Sequence, residues 1–188
     1  MGTTPCVRPA KRMRVKETTM KRWGLFLVML LSVSFVLLPG VSAADEVAYR
    51  AVYHQQKGET IEVGDVPGHV VGFSDTPGII FMTKGPARGE IGTRKATTYF
   101  DIVNGKGPFT SYLVYTFPDG STMHTKAIGT FTTVEGGKGP ALEGTVEVTG
   151  GTGKFAGMKG KGTFKGERVG PRETGGDGYV DVTGTIGK

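Results

Sequence analysis

Cysteine and histidine are scarce in this chain, and no helical periodicity longer than two turns follows Ala44. The single cysteine, Cys6, lies within a segment that reads as a removable leader, so the processed chain carries no thiol. Disulfides, thiolate metal sites and cysteine nucleophiles are thereby excluded from it. The three histidines, His54, His69 and His124, fall on separate candidate strands without H-x-H or H-E-x-x-H spacing. No metal site and no cofactor is expected from that pattern. Excess charge is lacking too, once the leader is set aside. Of 23 basic and 17 acidic residues, seven basic and one acidic fall in residues 1–43, leaving sixteen of each sign. The basic character of the whole belongs to the leader, and no nucleic-acid partner is expected.

The leader itself is legible. Lys21-Arg22 precedes sixteen uncharged residues from Trp23 to Leu38, and Pro39-Gly40-Val41-Ser42-Ala43-Ala44 follows. A basic start, a short apolar core, a helix breaker and small residues at the cleavage positions describe a secretory signal peptide. Cleavage fits after Ala43 or after Ala44. The apolar run is shorter than the roughly 18–20 residues that cross a bilayer, so no stable membrane span is expected after cleavage. Residues 1–19 are long for an n-region, and a start at Met20 gives a leader of ordinary proportions. The expected organisation is a signal peptide over 1–43 and one domain over 44–188, located in the periplasm or secreted.

What that domain does have is glycine: 29 of the 32 glycines lie after residue 43. Each interior glycine costs a helix about 1 kcal/mol. Here glycines and prolines punctuate short β-branched and aromatic runs instead, as in an all-β domain. The expected strands are Val47–Gln55, Thr60–Val63, His69–Ser74, Ile79–Lys84, Gly89–Val103, Phe109–Phe117, Ser121–Val134, Leu142–Thr149, Lys159–Val169 and Gly178–Ile186. Asn104-Gly105, Pro118-Asp119-Gly120, Gly136-Gly137 and Gly175-Gly176 suit hairpin turns. Alternation is clearest where Lys159, Lys161, Thr163, Lys165 and Glu167 interleave with Gly160, Gly162, Phe164 and Gly166. One face of that strand is solvated, and the other offers glycine and phenylalanine. Inward glycines allow sharp bending, or leave room for something large opposite. Both suit a closed antiparallel up-and-down β-barrel of about eight strands.

Several motifs fail for want of context. Gly153-Lys154 lacks the Ser or Thr of a phosphate loop, since Phe155 follows and Val148 stands where the first glycine belongs. Gly151 to Ala156 matches G-x-G-x-x-A, but a strand follows where a helix must. Ser111, His124 and Asp101 make a triad only on paper, without a G-x-S-x-G elbow. Lys154, Lys159, Lys161, Lys165 and Arg168 read as a solvated outer strip facing Glu143, Glu147 and Asp181. The aromatic middle of the chain, with Tyr99, Tyr112, Tyr115, Phe100, Phe109 and Phe117, reads as core. If a cavity exists, these residues line it and favour an apolar or aromatic ligand.

The run from Val148 to Gly160, VTGGTGKFAGMKG, resembles the glycine motif of the allene oxide cyclase and dirigent-like barrel superfamily. The resemblance covers about thirteen residues and extends in rhythm to the exported leader and the hairpin spacing. It implies an eight-stranded barrel with a hydrophobic cavity, often trimeric. Plant allene oxide cyclases cyclise a fatty-acid epoxide largely by steric steering, and dirigent proteins orient phenoxy radicals without a redox centre. The catalytic residues of neither group can be placed on this chain. The reading is therefore an exported, cofactor-free barrel that binds a small apolar or aromatic molecule, with Tyr99, Tyr112, Tyr115 and Phe164 as candidate ligand contacts. An isomerase or cyclase acting by confinement is the alternative, its acid or base drawn from Glu59, Glu62, His54 or Tyr112. A structural envelope protein with a filled barrel is the third.

Overall fold

A computed structural model describes residues 44–132, 140–170 and 176–188. The leader and the expected turn residues Gly136, Gly137 and Gly175 lie outside the described residues. Within the described residues ten strands follow one another: β1 (Asp45–Tyr53), β2 (Lys57–Glu62), β3 (His69–Asp75), β4 (Gly78–Lys84), β5 (Ile91–Val103), β6 (Gly107–Thr116), β7 (Thr122–Thr132), β8 (Ala141–Gly151), β9 (Lys159–Arg168) and β10 (Gly178–Gly187). A single 3-10 turn over Gly153–Phe155 interrupts these described strands. No helix among the described residues is long and apolar enough to cross a membrane.

Eight strands close an antiparallel barrel in the order β1-β4-β5-β6-β7-β8-β9-β10, with β10 pairing back onto β1. This is the all-β, closed, up-and-down architecture expected from the sequence. The two remaining strands extend neighbours beyond the barrel wall. β3 and β4 pair with β5 in one continuous register, from His69 opposite Val103 to Phe81 opposite Ile91. Between them the Thr76 N–H still donates to the Ala96 carbonyl at 2.9 Å. On the other side, β1 faces β4 and β2 faces β3, with His54, Gln55 and Gln56 standing opposite Thr76 and Pro77. That extra residue is a bulge, which bends a strand and shifts its register. β1 stays in the barrel wall, and β2 leaves it to form with β3 a flap whose outer strand has no second neighbour among the described residues.

Inside the barrel, side chains follow the period of two. On β6, Phe109, Ser111, Leu113 and Tyr115 are buried, while Tyr112, Val114 and Thr116 between them are exposed. On β9 the buried Phe164 and Gly166 alternate with the exposed Thr163, Lys165 and Glu167. Gly129 on β7 makes room for large rings, since a Cβ there would stand 2.6 Å from Phe164 Cζ and 2.9 Å from Phe109 Cζ. Phe109 in turn packs on Phe131 and Phe164, with ring centroids 4.5 and 5.9 Å away. Inward glycine opposite inward aromatic keeps the interior near constant density while the wall bends.

The glycine motif closes one end of this barrel. Phe155, fully buried, stacks on Phe117 with centroids 5.1 Å apart. Gly151 and Gly153 let the loop lie close to the wall: Gly153 has φ of +56°, and a Cβ on Gly151 would come within 2.7 Å of Phe155 Cβ. Lys154 fastens the plug, its Nζ lying 2.5 Å from Glu90 and 3.1 Å from Asp119, in the β4–β5 and β6–β7 turns. The hydrogen bond to Glu90 is the main reason its ammonium is held above the usual lysine range. Lys154 is thus an internal clasp and leaves the expected solvated strip.

Candidate functional site

An interior cavity of about 70 Å³ is lined from the barrel strands, from Ser74 on β3, and from the β1–β2 bulge and the β3–β4 turn. It adjoins a groove of about 260 Å³, with which it shares Gln55, Ser74, Phe131 and Arg168. Those four residues come from the β1–β2 bulge, β3, β7 and β9. They mark the end of the barrel away from the plug, where the flap begins. The groove continues along Val70 of the flap and Phe100 and Ile102 of the long strand β5.

Apolar side chains dominate the cavity wall, but its polar groups are specific. Tyr49 and Tyr115 meet edge to face with centroids 5.5 Å apart and hydroxyls 3.5 Å apart. Thr98 and Ser111 pair their hydroxyls at 2.7 Å. Arg94, only 7 % exposed, joins the lining from β5. Its Nη1 donates to the Thr76 carbonyl and, at 3.0 Å, to the Thr76 hydroxyl. Its guanidinium carbon stands 5.0 Å from the centre of the Tyr53 ring, a cation–π arrangement. Arg94 Nε is buried and meets no acceptor among the described residues. Arg168 joins the lining from β9, so it too leaves the solvated strip.

The residues described around the cavity and the groove include two arginines and no aspartate, glutamate or histidine. Burial raises the Tyr53 phenol above its ordinary value, while the positive charges of Arg168 and Arg94 pull against that rise. Burial, followed by the neighbouring Tyr115, pushes Tyr49 well above the tyrosine range. Both phenols therefore stay protonated and serve as hydrogen-bond donors rather than bases.

The expected ligand contacts divide by parity. Tyr115 and Phe164 line the cavity. Tyr99 and Tyr112 do not: they are 54 % and 53 % exposed on the outer wall. On β5 the inward positions are Gly92, Arg94, Ala96 and Thr98, which turns Tyr99 outward, and on β6 the inward set that begins at Phe109 turns Tyr112 outward. Nor does the structure bring the candidate acids and bases into the barrel. Glu59 and Glu62 lie on the exposed flap strand β2, where Glu59 pairs with Lys57 at 3.2 Å. His54 is exposed at the bulge, its Nδ1 2.8 Å from Asp177. Ser111 points inward while His124 is exposed and bonds Thr122, so the paper triad does not assemble. No group of three metal-binding side chains occurs among the described residues.

Sequence reasoning passed over Arg94, Tyr53, Thr76 and Gln55. A signal for Arg94 was available: it shares its parity with Gly92, Ala96 and Thr98, a small-residue face that leaves space for one long side chain.

No family model matches the sequence, and no curated protein sequence matches it. Among solved structures, the chain is similar to two pterocarpan synthase dirigent proteins. One matches with a TM-score of 0.44 and 16 % identity, over 77 % of this chain and 90 % of that chain. The other matches with a TM-score of 0.41 and 16 % identity, over 75 % of this chain and 94 % of that chain. The barrel assignment itself rests on the closed ladder from β1 round to β10.

Proposed function

We propose that this protein is an exported, cofactor-free barrel that holds a small apolar or aromatic molecule in the interior cavity and the groove beyond it. The observation that carries the reading is the asymmetry of the barrel: one end is plugged by Phe155, and at the other a lined cavity runs into a groove. The cavity alone, at about 70 Å³, is smaller than the roughly 150 Å³ apolar void that takes up benzene. A ligand therefore occupies cavity and groove together, entering from the flap end. The leader over residues 1–43 supports export to the periplasm or beyond.

The small interior volume favours a second reading, a barrel filled by its own side chains with a structural role in the envelope. The cyclase reading draws less support, because the groups described around the cavity that could move a proton are tyrosines held protonated. Native mass spectrometry of protein purified from its own envelope fraction separates the first two readings. Binding predicts a discrete mass excess that is lost on denaturation. A clean chain mass at every preparation would overturn it in favour of the filled barrel. The same spectrum counts subunits and so tests the homotrimer that the resemblance implies.

A further inference from the structure

We infer that the ligand is an acid: the cavity and the groove together take a compact aromatic monocarboxylate, its carboxylate bound by Arg94 and its ring packed against the wall formed by Phe109, Phe131 and Phe164. This rests on the reading of the barrel as a ligand-binding protein and specifies the chemistry of that same site.

Arg94 carries a charge that no carboxylate among the described residues offsets. A guanidinium stays protonated in any protein environment. Buried charges are ordinarily paired, because an isolated ion loses its hydration without recompense. Arg94 is buried, yet no ion pair joins it to a carboxylate among the described residues, and none of those described around the cavity or groove is acidic. Thr76 supplies neutral acceptors at Nη1 only. Tyr53 supplies a ring face, which attracts the cation without cancelling its charge. The edge carrying Nε meets no acceptor among the described residues. Through such an edge an arginine grips a carboxylate by two parallel N–H···O bonds. Arg168 lines the junction of the cavity with the groove.

Shape selects the rest of the molecule. Three phenylalanine rings stand on the cavity wall, and Phe131 also borders the groove. A flat ring lies against the surface these packed rings present to the cavity and reaches past Phe131 into the groove once its carboxylate is held at Arg94. A long alkyl chain offers those rings no flat face to stack on.

Isothermal titration of the purified protein with benzoate and 3-phenylpropionate, and with their neutral amides, tests the inference. The acids are expected to bind at least tenfold more tightly than the amides, a difference of about 1.4 kcal/mol. Arg94→Met is expected to erase that preference while leaving a folded barrel, since an apolar side chain of similar length removes an unpaired buried charge. Arg94→Lys, which keeps the charge but not the fork, retains only part of it. Acids and amides binding alike would overturn the arginine assignment and leave the binding barrel standing. No binding of either would overturn both. Inorganic phosphate or palmitate binding as tightly as benzoate would overturn the aromatic part. An Arg94→Met protein that still prefers acids would show that the charge is read elsewhere.

Discussion

Arg94 and Lys95 are adjacent in sequence and opposite in fate: one is buried in the barrel, the other exposed on its wall. Nothing in their chemistry distinguishes them at the level of composition. Strand parity does, because a one-residue step moves a side chain from one face of the sheet to the other. The same rule makes a sharp stability prediction on β9. Phe164 is 5 % exposed and packs on Phe109, whereas Lys161 stands on the outer face. Phe164→Asp is expected to destabilise the barrel by at least about 3 kcal/mol, combining a lost ring with an unpaired buried charge. Lys161→Ala is expected to change stability by less than about 0.5 kcal/mol. Thermal melts that shift equally would contradict the assignment of faces. Parity was readable on β9 because glycine and lysine contrast so strongly there. On the aromatic strands ring content does not set parity, and Tyr99 and Tyr112, expected in the lining, stand on the outer wall. A charged residue such as Arg94 reads as surface unless its neighbours of like parity, Gly92, Ala96 and Thr98, are set beside it.

At the scale of elements, the flap and the plug behave as opposite ends of one design. The plug is fixed by stacking, a fully buried phenylalanine and the Lys154 clasp. The flap is held by a charged tie. His69 Nδ1 lies 2.5 Å from Asp65 in the β2–β3 turn, and Nε2 lies 2.8 Å from Asp101 on β5. Two carboxylates at both ring nitrogens favour the imidazolium, and the hydrogen bond to Asp101, followed by that to Asp65, raises the His69 pKa. The contact with His69 lowers that of Asp65. The histidine contribution is thus complete below its unfolded value near 6.5 and is lost as pH rises through the raised folded value. The Asp65 contribution is present above its ordinary 3.8 and is lost as pH falls through the lowered value. Between those limits the flap is most firmly tied. Amide exchange in β2 and β3, corrected for intrinsic rates, is expected to accelerate as pH rises past the His69 transition. His69→Gln should exchange at one faster rate throughout. A wild-type flap whose corrected protection is flat from about pH 5 to 9 would contradict the tie. The sequence marked β2 and β3 as strands but not as a flap, because the bulge at His54–Gln56 is a matter of register, which a single strand does not encode.

For the whole molecule, the closed ladder was legible because glycine, turn dipeptides and alternation all agree on short antiparallel strands. The direction of the barrel was not. Which end is plugged depends on where Phe155 folds back, and which end carries the groove depends on the flap meeting β5. Both are pairings between segments well separated in sequence. They leave Arg94 in the lining of the cavity beside the groove, and the proposed function depends on what stands beside it. The most direct measurement is a crystal structure of protein purified from its own envelope fraction without denaturation. Non-protein density is expected beside the Arg94 guanidinium, continuous with a planar body packed against Phe131 where the cavity meets the groove. An interior holding only ordered water, with the Arg94 Nε bonded to one of them, would contradict it.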